Sequence, residues 1–238
     1  MISHITSTSD AAMYGVAYNL AMILTFVLNA INGSYVPWLY GKIKKNNAQD
    51  NKSISLILIM LMGLIILCVI WYAPEIILIM AGKQYSVAIY VVAPVSMSLL
   101  LLFYSQLFIN IEFYYEEKKM LVYGSIGAAV LNIILNGLLI PIFGFVAAGY
   151  TTLISYIVFA LSNYYTMRLM LKKRKLDDDM YDYKLLLLLF VAFMISGFLG
   201  VSLYGNLILR ILITLVVFGL LVINKNKFID ALKKIKER

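Results

Sequence analysis

The chain has 238 residues, of which 63% are hydrophobic and 13% are charged, and its mean hydropathy is +0.89. A soluble domain carries about 25% charged residues, so this sequence has too few charges to cover a water-facing surface. The composition excludes a soluble domain and predicts an all-α, polytopic membrane helix bundle. The net charge of +8 is assigned to membrane orientation and anionic headgroups, not to nucleic acid.

Seven segments are long and apolar enough to cross a bilayer, which takes about 20 residues per helix. In chain order they are residues 13–39, 54–73, 87–110, 120–141, 145–168, 184–204 and 206–224. Residues 74–86 are too short and too polar to span a membrane. They predict a short interfacial helix that ends at Gly82.

Basic residues are distributed unevenly over the connections between these segments. If residues 41–53 face the cytoplasm and the sides alternate from there, 18 of the 20 Lys and Arg residues are cytoplasmic, and only Lys83 and Arg210 are not. This bias follows the positive-inside rule. It predicts a cytoplasmic C-terminus and places residues 1–12 outside. The basic, amphipathic tail 225–238 either docks to the inner headgroups or forms a solvated helix end.

Residue types suited to catalysis or metal binding are sparse. Cys68 is the only cysteine and His4 the only histidine, so we expect neither an internal disulfide nor a metal site. Residues 112–119 combine three glutamates with two lysines, and we interpret them as a solvated charged loop rather than an acid–base site. We therefore predict no enzymatic activity and no cofactor.

Polar side chains recur at helical spacing inside the apolar segments. A polar stripe within hydrocarbon must turn away from lipid. Two interpretations are open: the stripes line a polar cavity for a hydrophilic substrate, or they form interhelical hydrogen bonds. The candidate cavity residues are Tyr18, Thr25, Asn29 and Asn32 in the first segment, Gln106 in the third, Asn132 and Asn136 in the fourth, and Thr152 and Ser155 in the fifth.

Arg210 is a further candidate, because it lies one turn into the last segment near the predicted outer face. Its guanidinium either snorkels to the outer headgroups or faces a cavity and meets an anionic group. The 18 tyrosines also divide into two groups. Those near segment ends predict an interfacial belt. Four deeper ones either stack on sugar rings or pack in the bundle, and these are Tyr18, Tyr104, Tyr123 and Tyr156.

Three stretches carry a family resemblance: residues 1–24, residues 73–88 and residues 128–156. Together they resemble the bacterial polysaccharide flippases, which are O-antigen-type transporters of the multidrug/oligosaccharidyl-lipid/polysaccharide (MOP) exporter superfamily. The resemblance covers nearly the whole chain through order and spacing rather than one motif. The last stretch is the most specific, since these residues hold the expected places: Asn132, Asn136, Pro141, Gly144, Ala147, Ala148, Gly149 and Thr152.

The resemblance implies a MATE-like fold of fourteen helices, with two six-helix lobes around a central cavity and two additional helices. This chain would be helices eight to fourteen. Residues 1–170 would form a partial C-terminal lobe with five membrane helices, residues 171–224 the two additional helices, and residues 225–238 a basic cytoplasmic tail. Met1 would then be an internal methionine, as in a truncated reading frame or gene fragment.

The function that the resemblance implies is translocation of polyprenyl-diphosphate-linked oligosaccharide across the bacterial cytoplasmic membrane, for surface polysaccharide biosynthesis. The implied partners are membrane lipids, the lipid-linked oligosaccharide, and a missing N-terminal half or polysaccharide-assembly proteins. The alternatives are a lobe of a drug or cation antiporter, a peptidoglycan-precursor flippase and an inactive truncated remnant. A membrane polysaccharide polymerase is disfavoured, because the predicted outer loops are short.

Overall fold

The computed structural model describes residues 1–117, 119–176 and 179–223. Every regular element of these residues is a helix. The helices are α1 Ile2–Ile5, α2 Thr8–Lys44, α3 Asn51–Trp71, α4 Ala73–Ala81, α5 Ile89–Tyr114, α6 Lys119–Phe143, α7 Val146–Lys173, α8 Tyr183–Ser202 and α9 Leu207–Ile223. Two short 3₁₀ segments, Ala48–Asp50 and Lys83–Ala88, lead into α3 and α5.

Six of these helices are long and apolar enough to cross a membrane, namely α2, α3, α5, α6, α7 and α8. The prediction of an all-α polytopic bundle is therefore confirmed. α9 coincides with the seventh predicted segment, but its 17 residues lie at the short end of the range for a membrane span. Its crossing stays a prediction. The basic tail 225–238 lies outside the described residues.

The first membrane helix, α2, extends beyond the predicted segment 13–39 at both ends. Its 37 residues give a length of about 55 Å, well over the hydrocarbon thickness of about 30 Å. The Ser7 side chain caps the start by accepting a hydrogen bond of 3.0 Å from the Asp10 amide. Lys42 and Lys44 lie in the last turn, where cations complement the helix dipole. The apolar pattern thus predicted only the part of α2 that is suited to hydrocarbon, and not the two ends of the helix.

The short helix α4 follows α3 directly and confirms the element predicted over residues 74–86. Pro74 lies in its first turn, where the missing N–H costs no helical hydrogen bond. Gly82 ends the helix with φ of +85°, a conformation that glycine adopts without strain.

α5 is the central helix of the bundle. It packs against α2, α3, α7 and α8, and nearly every residue from Val91 to Glu112 is buried. α8 also packs on α3, so it belongs to the same bundle. α6 lies at the edge, where it packs mainly on α7 and is the least buried of the six long apolar helices.

The end of α5 differs from the sequence-based interpretation. The helix continues to Tyr114, and Glu112 is only 2% exposed. The assignment of Glu112 to a solvated loop is therefore wrong, because regular helical structure carries this residue onto the face that packs against α7. Glu116 and Glu117 follow the helix, as predicted.

Glycines allow α8 to lie close to α3. A Cβ atom on Gly63 of α3 would overlap the ring of Phe193, and one on Gly200 of α8 would overlap the indole of Trp71. The Trp71 indole N–H also donates a hydrogen bond to the Ser196 carbonyl oxygen over 3.3 Å. Small residues at such positions let helix backbones approach closely in a membrane bundle.

We predict that Gly200→Ala lowers the melting temperature of the detergent-solubilised protein. The added methyl group displaces the Trp71 indole, and overpacking of this kind costs about 1–3 kcal/mol. Gly137→Ala is the control, since a Cβ atom there meets nothing within 4 Å. Equal melting temperatures for Gly200→Ala and the unmodified chain would contradict the close packing of α8 on α3.

Candidate functional site

A cavity of about 600 Å³ lies between α2, α5, α6 and α7. α5 and α7 pack together and form its floor, while α2 and α6 form its two walls. Its polar lining consists of hydroxyl and amide side chains from all four helices. These are Tyr14, Tyr18, Thr25, Ser98, Ser125, Asn132, Thr152, Ser155 and Tyr156.

The turn between α6 and α7 places the two helices side by side. Gly144 has φ of +70°, a conformation that favours glycine, and its amide donates to the Ile140 carbonyl oxygen over 2.9 Å. The chain therefore reverses within a few residues, and α7 packs back along α6. This reversal sets Asn132 of α6 and Thr152 of α7 on the same side of the cavity.

A smaller cavity of about 300 Å³ adjoins the first, toward α1. The two cavities share Tyr14, Asn132 and Thr152, and Asn136 lines the smaller one. The shared residues make one polar region that runs from the start of α2 and the end of α6 toward the middle of both helices.

Hydrogen bonds within this region fix the orientation of the Asn132 amide. The Asn136 Nδ2 group donates to Asn132 Oδ1 over 2.9 Å, and the Thr151 hydroxyl donates to Asn136 Oδ1 over 2.5 Å. The Asn132 oxygen is thus engaged within α6. Its Nδ2 group is left to face the cavity as a hydrogen-bond donor.

The hydroxyl groups of the lining present mainly acceptor sites. Thr25 donates to the Met22 carbonyl oxygen, Thr152 to that of Ala148 and Ser155 to that of Thr151, over 2.6 to 2.8 Å. Because each hydroxyl has one hydrogen, these bonds leave its oxygen lone pairs for a ligand. The wall therefore offers acceptors from hydroxyls and a donor from the Asn132 amide.

The cavity lining carries no Asp, Glu, Lys, Arg or His side chain among the described residues. Its aromatic part includes Tyr14 and Tyr18 of α2, whose rings stack with centroids 5.9 Å apart, and Tyr156 of α7. The region thus combines uncharged hydrogen-bonding groups with flat aromatic surfaces. Across the described residues, no three His, Cys, Asp or Glu side chains lie together as a metal site would require.

The structure brings together five of the ten residues proposed from the sequence: Tyr18, Thr25, Asn132, Thr152 and Ser155 line the larger cavity. Asn136 lines the adjoining one.

Four proposed residues lie elsewhere. Asn29 is exposed on α2, and Asn32 Oδ1 accepts a hydrogen bond from Asn110 Nδ2 over 2.9 Å. Gln106 lies on α5, and its buried Oε1 atom has no hydrogen-bond partner within the part of the chain that the structure describes. Arg210 lies on α9.

Arg210 is held by Glu75 of α4. The two guanidinium NH groups donate to the two carboxylate oxygens over 2.7 and 2.6 Å, and one of them also reaches the Trp71 carbonyl oxygen over 2.5 Å. Arg210 is 2% exposed. The anionic group that Arg210 meets in the structure is therefore a carboxylate of its own chain.

This ion pair changes the acidity of Glu75. Its hydrogen bonds with Arg210 hold the pKa of the Glu75 carboxyl below its ordinary value of 4.5, although partial burial acts in the opposite direction. A second bond joins the same elements, because the Tyr72 and Thr214 hydroxyls lie 3.0 Å apart. Polar side chains thus fasten α9 to the end of α3 and the start of α4.

Tyr14 and Ser98 also line the cavity, although the sequence-based candidates do not include them. Tyr14 lies near the start of its segment, where a tyrosine predicts an interfacial belt. Ser98 was not singled out. Its spacing from Val95 and Leu102, three and four residues away, predicts that all three share one face of α5. In the structure that face lines the cavity.

No protein-family model matches the chain, and its comparison with curated proteins and with solved structures gives no match.

We predict that acid weakens the attachment of α9 through Glu75. A carboxyl whose folded-state pKa is depressed contributes stability above its unfolded pKa, near 4.5, and loses it as the pH falls through the folded value. The melting temperature should therefore drop below pH 4.5, and Glu75→Gln should remove part of that drop. Glu117→Gln is the control, since its pair with Arg174 is far more exposed and contributes little. An identical pH profile for Glu75→Gln and the unmodified chain would contradict this.

Proposed function

We propose that the polar cavity is one side of a path for the oligosaccharide headgroup of a polyprenyl-diphosphate-linked substrate, in the bacterial cytoplasmic membrane. The observation that carries the proposal is a cavity of about 600 Å³ inside an apolar bundle, lined by uncharged hydrogen-bonding and aromatic side chains. The resemblance to polysaccharide flippases supports the same function. The C-terminus is proposed to be cytoplasmic and residues 1–12 to lie outside.

The chemistry of the lining suits a sugar. Sugar hydroxyls both donate and accept hydrogen bonds, and the cavity offers acceptors from Thr25, Thr152 and Ser155 and a donor from Asn132. The Tyr14 and Tyr18 rings offer apolar faces for the C–H surface of a sugar ring. A few convergent polar groups within a largely apolar pocket are typical of small-molecule sites.

The position of the cavity also suits a lipid-linked substrate. α6 is the outer wall, and its side away from the cavity exposes large apolar residues such as Ile133, Leu138 and Ile142. These face hydrocarbon, so a polyprenyl tail can remain in the bilayer beside α6 while the headgroup enters the polar region.

The cavity is only partly enclosed by α2, α5, α6 and α7. Transport by alternating access rocks one repeat against another around a site between them. We propose that a second lobe, from a separate polypeptide or from a second copy of this chain, closes the open side. The polysaccharide-assembly machinery is the proposed setting for such a partner.

The lack of charged side chains in the described lining argues against a cation antiporter. An organic cation inside a low-dielectric bundle needs a counter-charge, because an unpaired buried charge is costly. The described lining has none, which disfavours the antiporter. A peptidoglycan precursor is also a lipid diphosphate with a sugar headgroup, and it fits the same chemistry.

We expect purified chain in nanodiscs to bind polyprenyl-diphosphate-linked oligosaccharide, as measured by native mass spectrometry. Asn132→Leu should weaken binding about tenfold, because the lost hydrogen bond contributes about 1–1.5 kcal/mol. Asn29→Leu is the matched control, an identical substitution on an exposed residue outside the cavity. Equal loss in both variants, or binding of an organic cation in place of the saccharide, would sink the proposal.

A second measurement tests the need for a partner lobe. Proteoliposomes that contain only monomeric chain should not translocate a fluorescent lipid-linked oligosaccharide, since one lobe provides a single side of the path. Covalently linked dimers, or co-reconstitution with a complementary polypeptide, supply the second side for comparison. Full translocation by the monomer would refute the two-lobe arrangement while leaving the binding prediction intact.

A further inference from the structure

A buried carboxyl group lies near the end of α5, beyond the part of this helix that lines the cavity. Glu112 is two residues from the end of α5 and only 2% exposed. Its Oε1 atom accepts a hydrogen bond from the Thr166 hydroxyl of α7, while its Oε2 atom is buried and has no hydrogen-bond partner. Among the described residues, Glu112 forms no ion pair.

Asn163 presents a second unsatisfied acceptor on the same side of α7. It lies three residues before Thr166, on the helix face turned toward α5, and is 1% exposed. Its Nδ2 group donates to the Phe159 carbonyl oxygen over 2.8 Å, and its Oδ1 atom is buried with no donor. Among the described residues, the interface between α5 and α7 therefore holds two buried oxygen atoms that accept no hydrogen bond, Glu112 Oε2 and Asn163 Oδ1.

Among the described residues, no ion pair neutralises Glu112. At this end of the bundle, Glu117 carries a like charge that acts on it, and Arg174 is engaged by Glu117. Other groups near this end also have partners of their own: Arg168 lies over the rings of Tyr164 and Tyr183, Lys42 pairs with Asp50, and the ring of Tyr40 lies against that of Tyr114. An ionised carboxylate without a cation or enough donors is costly in such surroundings, and a buried group of this kind takes up a proton instead.

We propose that Glu112 is a proton-binding site of the bundle, neutral while α5 and α7 are packed and ionised when they separate. In the packed state Oε2 carries the proton, and Oε1 is the carbonyl oxygen that Thr166 contacts. When the helices separate, the O–H bond breaks, the proton passes to water, and the carboxylate becomes hydrated. The proton-binding site goes beyond the proposed function, because it does not depend on which ligand the cavity binds.

Infrared difference spectroscopy of the full chain in nanodiscs tests the site, because a neutral carboxyl group has its own carbonyl-stretch band. We expect that band at pH 7 in the unmodified chain, its loss in Glu112→Gln and its retention in Glu117→Gln. Glu112→Gln keeps the side-chain shape and can still accept the hydrogen bond from Thr166, so it should fold. Identical spectra for Glu112→Gln and the unmodified chain would overturn the proposal.

Thr166→Val provides a test that keeps the carboxyl group in place. Removing the hydroxyl deprives the carbonyl oxygen of its hydrogen bond, so the band should move to higher wavenumber, and Thr166→Ser should restore its position. An unmoved band in Thr166→Val would overturn the assignment to Glu112. If the unmodified chain shows no band and Na⁺ instead raises its melting temperature in a Glu112-dependent manner, the site holds a metal cation and the proton proposal is wrong.

Discussion

A polar group inside an apolar helix must find its partner within the protein, and this constraint shapes the whole bundle. Hydrocarbon offers no hydrogen bonds, and it is as apolar as the side chains it surrounds, so helices gain little from burying leucine against leucine. Polar contacts then decide which helices meet. The Tyr104 hydroxyl reaches the Leu186 carbonyl oxygen over 2.8 Å, and the Tyr181 hydroxyl reaches that of Leu107 over 2.6 Å. Both bonds hold α8 and the chain before it against α5.

The same constraint separates structural polar groups from functional ones. Asn32 and Asn132 are the same residue type in comparable helices, yet Asn32 is paired with Asn110 on α5. Asn132 directs its Nδ2 group into a cavity. In an apolar setting, a polar group that faces open space needs water or a ligand there. The hydroxyl and amide groups that line the cavity therefore mark it as the candidate site.

The sequence predicted the helices well, because segment length and hydropathy report directly on hydrocarbon. The short helix α4 and its end at Gly82 followed from the same pattern. Partners distant in sequence could not be predicted. Arg210 and Glu75 are 135 residues apart, and no local pattern predicts that they pair. The polar residues predicted to share one face of α2 also have different surroundings, because Tyr18 lines the cavity and Asn29 is exposed. The position of α6 decides which part of that helix face is enclosed.

α5 and α7 link the two polar regions of the bundle. Their contact forms the cavity floor at Ser98 and Ser155, and it encloses Glu112 at the other end. On α7, Ser155 and Thr166 are eleven residues apart, a distance of about 16 Å along the helix axis. A helix of this length moves as a rod, so a separation that admits water to Glu112 also tilts the cavity floor. Proton occupancy and cavity shape are then two properties of one helix interface, and a ligand that favours one arrangement of the floor must alter the proton affinity by the same coupling free energy.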